Sequence, residues 1–148
     1  GIAKMNEDTI RSFLRGLHDP VDPDLRDAMV GFAEEAIYQS LVPARAPIAG
    51  KSTIKAELEQ QFKRYTGCDC ETLAMASSER YVFTERRDHA SMKDWNKRIF
   101  SSVNAVFEFA NTGHIISWRE YWDTADIAAQ LGLSPEQMRD LHASETSG

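Results

Sequence analysis

A chain of 148 residues, 42% apolar and 27% charged, is long enough for one domain with its own core, and this average balance argues against a disordered or fibrous protein. A net charge of -6, with Lys and Arg scattered in runs no longer than two, opposes attraction to a phosphate backbone, so nucleic acid is not an expected partner. No apolar run approaches the ~20 residues of a membrane helix, and the first nine residues lack a signal-peptide pattern, so the expectation is a cytoplasmic protein with no membrane partner. One domain is expected over residues 1–148, with 1–5 set aside as a processed or flexible start and 144–148 as a frayed end.

In chain order, Ile10, Phe13, Leu14 and Leu17 recur at helical spacing and predict an amphipathic helix over residues 7–17, capped by Asn6 or Asp8. His18-Asp19-Pro20-Val21-Asp22-Pro23 breaks it, a short helix follows over 25–30, and residues 32–42 read as a strand ended by Pro43. Residues 52–65 carry Ile54, Leu58, Phe62 and Tyr65 on one helical face, with Gly67 as the stop. The hydrophobic period then changes: 71–76, 80–92, 98–110 and 114–122 read as strands, with Asn111-Thr112-Gly113 as the turn between the last two. A helix over 124–131 follows, and another opens at Ser134-Pro135-Glu136-Gln137, which has a serine cap, a first-turn proline and a glutamine three residues past the cap. Helices first and long strands after them predict the α+β class, a curved and mainly antiparallel sheet wrapped around helices.

The two cysteines, Cys68 and Cys70, are expected on opposite faces of a strand, reduced and unbridged. No second cluster of Cys or His stands at a ligand spacing, so neither a metal nor a cofactor is expected. His18, His114 and His142 sit at breaks or in the terminal helix, with no partner visible in the sequence.

Alternation over 80–92 places Val82, Thr84, Arg86 and Asp88 on one face and Tyr81, Phe83, Glu85, Arg87 and His89 on the other. Arg86 and Asp88 then stand about 6.5–7 Å apart at Cα, within reach of an ion pair. Such a pair is often only a surface feature. The alternative is a site in which Asp123, just past the last strand, reaches the other side of Arg86. A guanidinium between two carboxyls splits their roles, one keeping a proton and the other serving as base. Asp123 equally suits the cap of the helix that starts at Thr124. Trp118 and Trp122 fall on the face opposite Asp123 and read as packing, while Glu85, Arg87 and His89 read as surface or interface.

The tract Tyr81-Val82-Phe83-Thr84-Glu85-Arg86-Arg87-Asp88, followed about thirty residues later by Gly113-His114-Ile115-Ile116-Ser117-Trp118-Arg119-Glu120-Tyr121-Trp122-Asp123, resembles the limonene epoxide hydrolase family. That family pairs a Thr-Glu-Arg-x-Asp strand with a Gly-Lys-Ile-x-x-Trp-Arg-Asp-Tyr-Phe-Asp strand. The similarity extends over most of residues 38–123, including Gly50 before the long helix. It implies a cone-shaped α+β fold shared with nuclear transport factor two and ketosteroid isomerase, closing a deep pocket, usually in a homodimer. It also implies that Arg86 orients two carboxyls, that Asp88 donates a proton, that Asp123 is the base and that Tyr38 holds a water. Ser40 stands where the family has asparagine, and its hydroxyl cannot offer an amide's separate donor and acceptor.

The reaction so implied is a one-step addition of that water to a small apolar epoxide, terpenoid or polyketide-like, to give a vicinal diol without metal or covalent intermediate. Candidates for an apolar lining are Leu14, Met29, Leu41, Val42, Leu58, Phe62, Met75, Val103 and Phe107, all equally good core residues. Two rivals stay open. One is a SnoaL-type polyketide cyclase or ketosteroid-isomerase-like enzyme that moves a proton next to a carbonyl; the other is a dimer that only binds a small molecule.

Overall fold

The computed structural model describes residues 1–18 and 25–147, with side chains described through Leu141. Among the described residues, five α-helices and six strands follow one another as α1 (Ile2–Leu17), α2 (Leu25–Ala28), β1 (Phe32–Leu41), β2 (Ile48–Ala49), α3 (Lys51–Phe62), β3 (Tyr65–Ser77), β4 (Tyr81–Met92), β5 (Lys97–Phe109), β6 (Ile115–Trp122), α4 (Thr124–Leu131) and α5 (Pro135–Ser147), with a 3-10 turn over Met29–Gly31 after α2. The strands form one sheet in the order β2-β1-β6-β5-β4-β3, with β1 and β6 parallel and every other pair antiparallel. This is the mainly antiparallel α+β architecture that the pattern predicts. The expected break after Leu17 falls mostly on residues outside those described, as do the side chains of His142 and of the end expected to fray.

Helix α1 begins at Ile2 and so takes in the residues set aside as a flexible start. Its inner face presents Ile10, Phe13, Leu14 and Leu17 to the sheet. Asn6, also buried, donates to the carbonyls of Ser78 and Glu79 and so ties the helix to the turn between β3 and β4. Phe13 makes edge contacts with Phe32, Trp118 and Phe107 at centroid separations of 4.9, 5.0 and 6.0 Å. A truncation there would cost ~3–5 kcal/mol, because an aromatic side chain would leave a cavity that this shell cannot fill.

The largest departure from the sequence pattern is at the end of α3. The helix stops at Phe62, and Tyr65, expected on its last turn, instead pairs with Met92 as the first residue of β3. Tyr and Thr favour strands, and long-range pairing with β4 outweighs the local helical period. Gly67 does not cap the helix; at φ +60° it lies in a register shift between Thr66 and Asp69, where a side chain would be strained. Helix α4 matches the expected residues 124–131 and ends on Gly132 at φ 70°, while the Ser134 and Gln137 side chains exchange hydrogen bonds with each other's backbone N–H to open α5.

Two apolar clusters result. The larger lies between α1, α2, α3 and the inner face of the sheet; the smaller joins Met92 and Ile99 to Ile127, Leu131 and Met138 of α4 and α5. A cavity opens beside them, onto the inner face.

Candidate active site

Strand pairing sets the floor of the site. Tyr38 and Ser40 of β1 stand opposite Trp118 and Glu120 of β6, Trp122 stands opposite Val103 of β5, and Val103 and Ser101 stand opposite Arg86 and Asp88 of β4. Residues at alternate positions share a face, so this register turns all of them inward. Together with α1 and α3 they enclose a cavity of about 430 Å³, of a size for one small organic molecule.

Arg86 is its electrostatic centre. Its side chain is 1% exposed, and its Nη2 donates both to Asp88 Oδ2 at 2.8 Å and to Glu120 Oε1 at 2.6 Å. Nε donates in addition to Asp88 Oδ1 at 3.2 Å, so the guanidinium grips Asp88 as a fork. Burial alone would discharge Arg86, but the Glu120 and Asp88 carboxylates outweigh it and hold its pKa above the ordinary value. Burial alone would likewise raise Asp88, yet Arg86 and the His18 ring beside it hold its carboxyl well below the usual range. These partners keep Asp88 ionised, the reverse of the raised pKa that an acid role suggests.

Asp123 is not the second carboxylate. It is exposed, lies outside the cavity, and its Oδ1 accepts from the Asp126 N–H at 3.0 Å as the N-cap of α4. The reason is strand parity: residues 118, 120 and 122 share the inner face, whereas 123 lies one step beyond the strand. Glu120 occupies the aspartate position of the Trp-Arg-Asp motif, and its extra methylene carries the carboxylate across β5 to Arg86. The signal was available in the sequence, since the parity that set Trp118 and Trp122 opposite Asp123 puts Glu120 with them.

Tyr38 and Ser40 both line the cavity and their hydroxyls hydrogen-bond. Burial, with Glu120 nearby, pushes the Tyr38 phenol far above its ordinary pKa, so it stays neutral. Ser40 Oγ accepts from Trp122 Nε1 at 2.6 Å. The indole thus has a site role that packing alone did not suggest, orienting the serine hydroxyl that stands in the asparagine's place. Trp118 is packed as expected, 1% exposed against Phe13 and Tyr38, and shows one edge to the cavity.

Of the apolar candidates, Leu58, Phe62 and Val103 line the cavity. Leu14, Met29 and Phe107 are core residues, and Met75 packs against that core from the side. Leu41 points away from the face shared by Tyr38 and Ser40, and Val42 is 53% exposed beyond the end of β1. His18, Cys68, Trp122 and Glu120 are lining residues that sequence reasoning did not assign to the site.

The two cysteines are free. They do not face opposite ways, because residues two apart on a strand share a face: Cys68 lines the cavity and Cys70 hydrogen-bonds Asp88. Burial, reinforced by the Asp88 charge, pushes the Cys68 thiol up to about 11 and the Cys70 thiol up to about 12. His18, Cys70 and Asp88 bring one ligand atom each within 4.8 Å of the others, the one such group of potential metal ligands among the described residues. It is ill suited to a cation, because Arg86 already takes both Asp88 oxygens and sets a positive charge beside them.

A curved sheet closing a pocket over helices is the architecture of the SnoaL-like and nuclear-transport-factor-two-like proteins. Solved structures share it at low identity. An M. tuberculosis epoxide hydrolase like limonene epoxide hydrolase matches with TM-score 0.72 and 22% identity over 87% of this chain and 90% of that one. A Jannaschia protein provisionally described as a SnoaL-like polyketide cyclase matches with TM-score 0.78 and 14% identity over 90% and 96%. A Catenulispora acidiphila protein of ketosteroid isomerase-like fold, solved with trimethylamine, matches with TM-score 0.75 and 12% identity over 86% and 94%. No curated protein sequence matches significantly. The model of the limonene-1,2-epoxide hydrolase catalytic domain matches residues 4–132, most of the chain, and the protein belongs to that family. Among the described residues no helix is long and apolar enough to cross a membrane.

Proposed function

We propose that the protein is a cofactor-independent epoxide hydrolase that adds water to a small apolar epoxide, terpenoid or polyketide-like, to give a vicinal diol. The observation that carries this is the buried Arg86 bridging two carboxylates on the floor of the cavity. The register supports a division of roles between the two carboxylates. Glu120 stands opposite Ser40, beside Tyr38, so a water held by those hydroxyls lies next to it; Asp88 lies across Arg86, nearer α1. Glu120 takes a proton from the water as its oxygen bonds an epoxide carbon. The carbon–oxygen bond on that carbon breaks, and protonated Asp88 gives its proton to the departing oxygen. Arg86 orients both groups. The apolar wall of Leu58, Phe62 and Val103 receives the hydrocarbon part of the substrate.

The test is diol formation from a panel of cyclic and aryl epoxides in oxygen-18 water, under single turnover, with and without a chelator. Solvent label in the diol, and a rate that the chelator leaves unchanged, support direct water attack. Absence of diol from every epoxide, in folded protein, would sink the reading.

A second reading has a specific observation behind it: Asp88 is held ionised on the cavity wall, so its carboxylate is free to accept a proton, as a polyketide cyclase or ketosteroid-isomerase-like enzyme needs for proton transfer next to a carbonyl. Exchange of deuterium into a cyclic ketone without diol formation would favour it. A pocket that only binds predicts neither product. We also propose a homodimer, with the exposed Ile37, Phe83, Phe100 and Tyr121 on the outer sheet face as the apolar patch to be covered. Sedimentation at monomer mass would exclude it.

A further inference from the structure

The hydrolase reading needs a proton on Asp88, and the geometry around Asp88 withholds one. We propose that His18 is the relay that loads Asp88 with the proton delivered to the epoxide oxygen, an inference that rests on the hydrolase reading. His18 ends α1, lines the cavity and is only 11% exposed. Its Nδ1 lies 3.1 Å from the Leu14 carbonyl oxygen, which can only accept, so Nδ1 carries a hydrogen. Nε2 is left facing Asp88 Oδ2 at 3.5 Å.

Two arrangements satisfy that contact: a charged ring donating to a carboxylate, or a neutral ring accepting from a carboxylic acid. A neutral ring against a carboxylate would set two lone pairs face to face. One proton therefore belongs to the line between Nε2 and Oδ2. The contact is long for a hydrogen bond, and a small closing movement of the ring would complete it.

The step balances. The Nε2–H bond breaks as Oδ2–H forms; Oδ2–H then breaks as the epoxide oxygen takes the proton and its bond to carbon opens. His18 is left neutral and Glu120 protonated by the attacking water. Exchange with solvent restores both. Among the described residues, Asp88 of β4 and Cys70 of β3 each bring a polar atom within 4.8 Å of the ring, and Arg45, Glu57, Cys68, Arg86, His89 and Glu120 line the same cavity. Among the described residues, Asp88 is the ion-pair partner of Nε2.

The test combines kinetics with ring titration. His18→Gln should lower kcat about 10²-fold or more with little change in KM, since a proton donor is lost and not a binding group. His18→Ala should regain activity with added imidazole, more so at lower pH where imidazolium is abundant, but not with pyrazole, which fills the same space without basicity. Equal rescue by both, or a His18→Gln protein with the wild-type rate and pH profile, overturns the relay. Labelled-histidine NMR titrations of the wild type and Asp88→Asn do not depend on turnover. A displaced His18 curve sustains the proton exchange even if no epoxide is opened, and in that case the hydrolase reading alone falls. Superimposable curves overturn the relay whatever the activity.

Discussion

Glu120 and Asp123 stand three residues apart on one strand and its exit, both carboxylates, both near the end of the cavity wall. Glu120 faces inward, 15% exposed at its side chain, against a buried guanidinium; Asp123 faces water and holds the first turn of α4. The same functional group is thus a candidate base in one place and a helix cap in the other. The difference comes from strand parity and from the positive charge that parity makes available, not from the chemistry of the acid.

That contrast can be broken by substitution. Glu120→Gln should lower the diol-forming rate by about 10²–10⁴-fold, the ordinary worth of a proton-transfer partner, whereas Asp123→Asn should keep the wild-type rate. The reverse result would restore Asp123 as the base. The inner-face charge should also show in thiol reactivity. With Cys70 pushed up to about 12 by burial and Asp88, its alkylation near pH 8 should be roughly 10³-fold slower than that of an ordinary thiol, and Asp88→Asn should speed it. Mass spectrometry of timed iodoacetamide labelling reads this out.

Stability sharpens the comparison further. Arg86→Met leaves two carboxylates without their partner in a mostly buried site and should cost ~3–5 kcal/mol in denaturant titration. A cost below that of an exposed pair would mean that the trio is solvated. Asp88 adds a pH dependence whose sign is set by its depressed pKa. Its stabilisation is whole above the ordinary carboxylate value near 4 and is lost as pH falls below it, so acid unfolding should be shallower in Asp88→Asn than in the wild type. The smallest effect belongs to the outer carboxylate: Asp123→Ala removes a cap worth ~1 kcal/mol and should lower Tm by roughly 2–4 °C without loss of activity.

How far the sequence reached varies with the range of the forces involved. Where a segment's own period and caps decide, the reading was close: α4 agrees with the pattern, the serine–glutamine box opens α5, and the alternation of β4 sorts Val82, Thr84 and Arg86 inward. Where pairing with a distant strand competes, it was not: Tyr65 fits a helical face, yet it joins β3 against Met92. Parity even held an unused clue, since Glu120 shares its face with Trp118 and Trp122.

By itself, the sequence determined the α+β class, the family motifs and the inward facing of Arg86 and Asp88, because period-2 and period-3.6 patterns record which side of each element is buried. The tertiary structure alone decided which carboxylate meets Arg86, that Trp122 orients Ser40, and that His18 from the first helix meets Asp88 from the fourth strand. Those contacts join residues 34, 82 and 70 positions apart, and only the closing of the curved sheet over α1 and α3 brings their charges within reach.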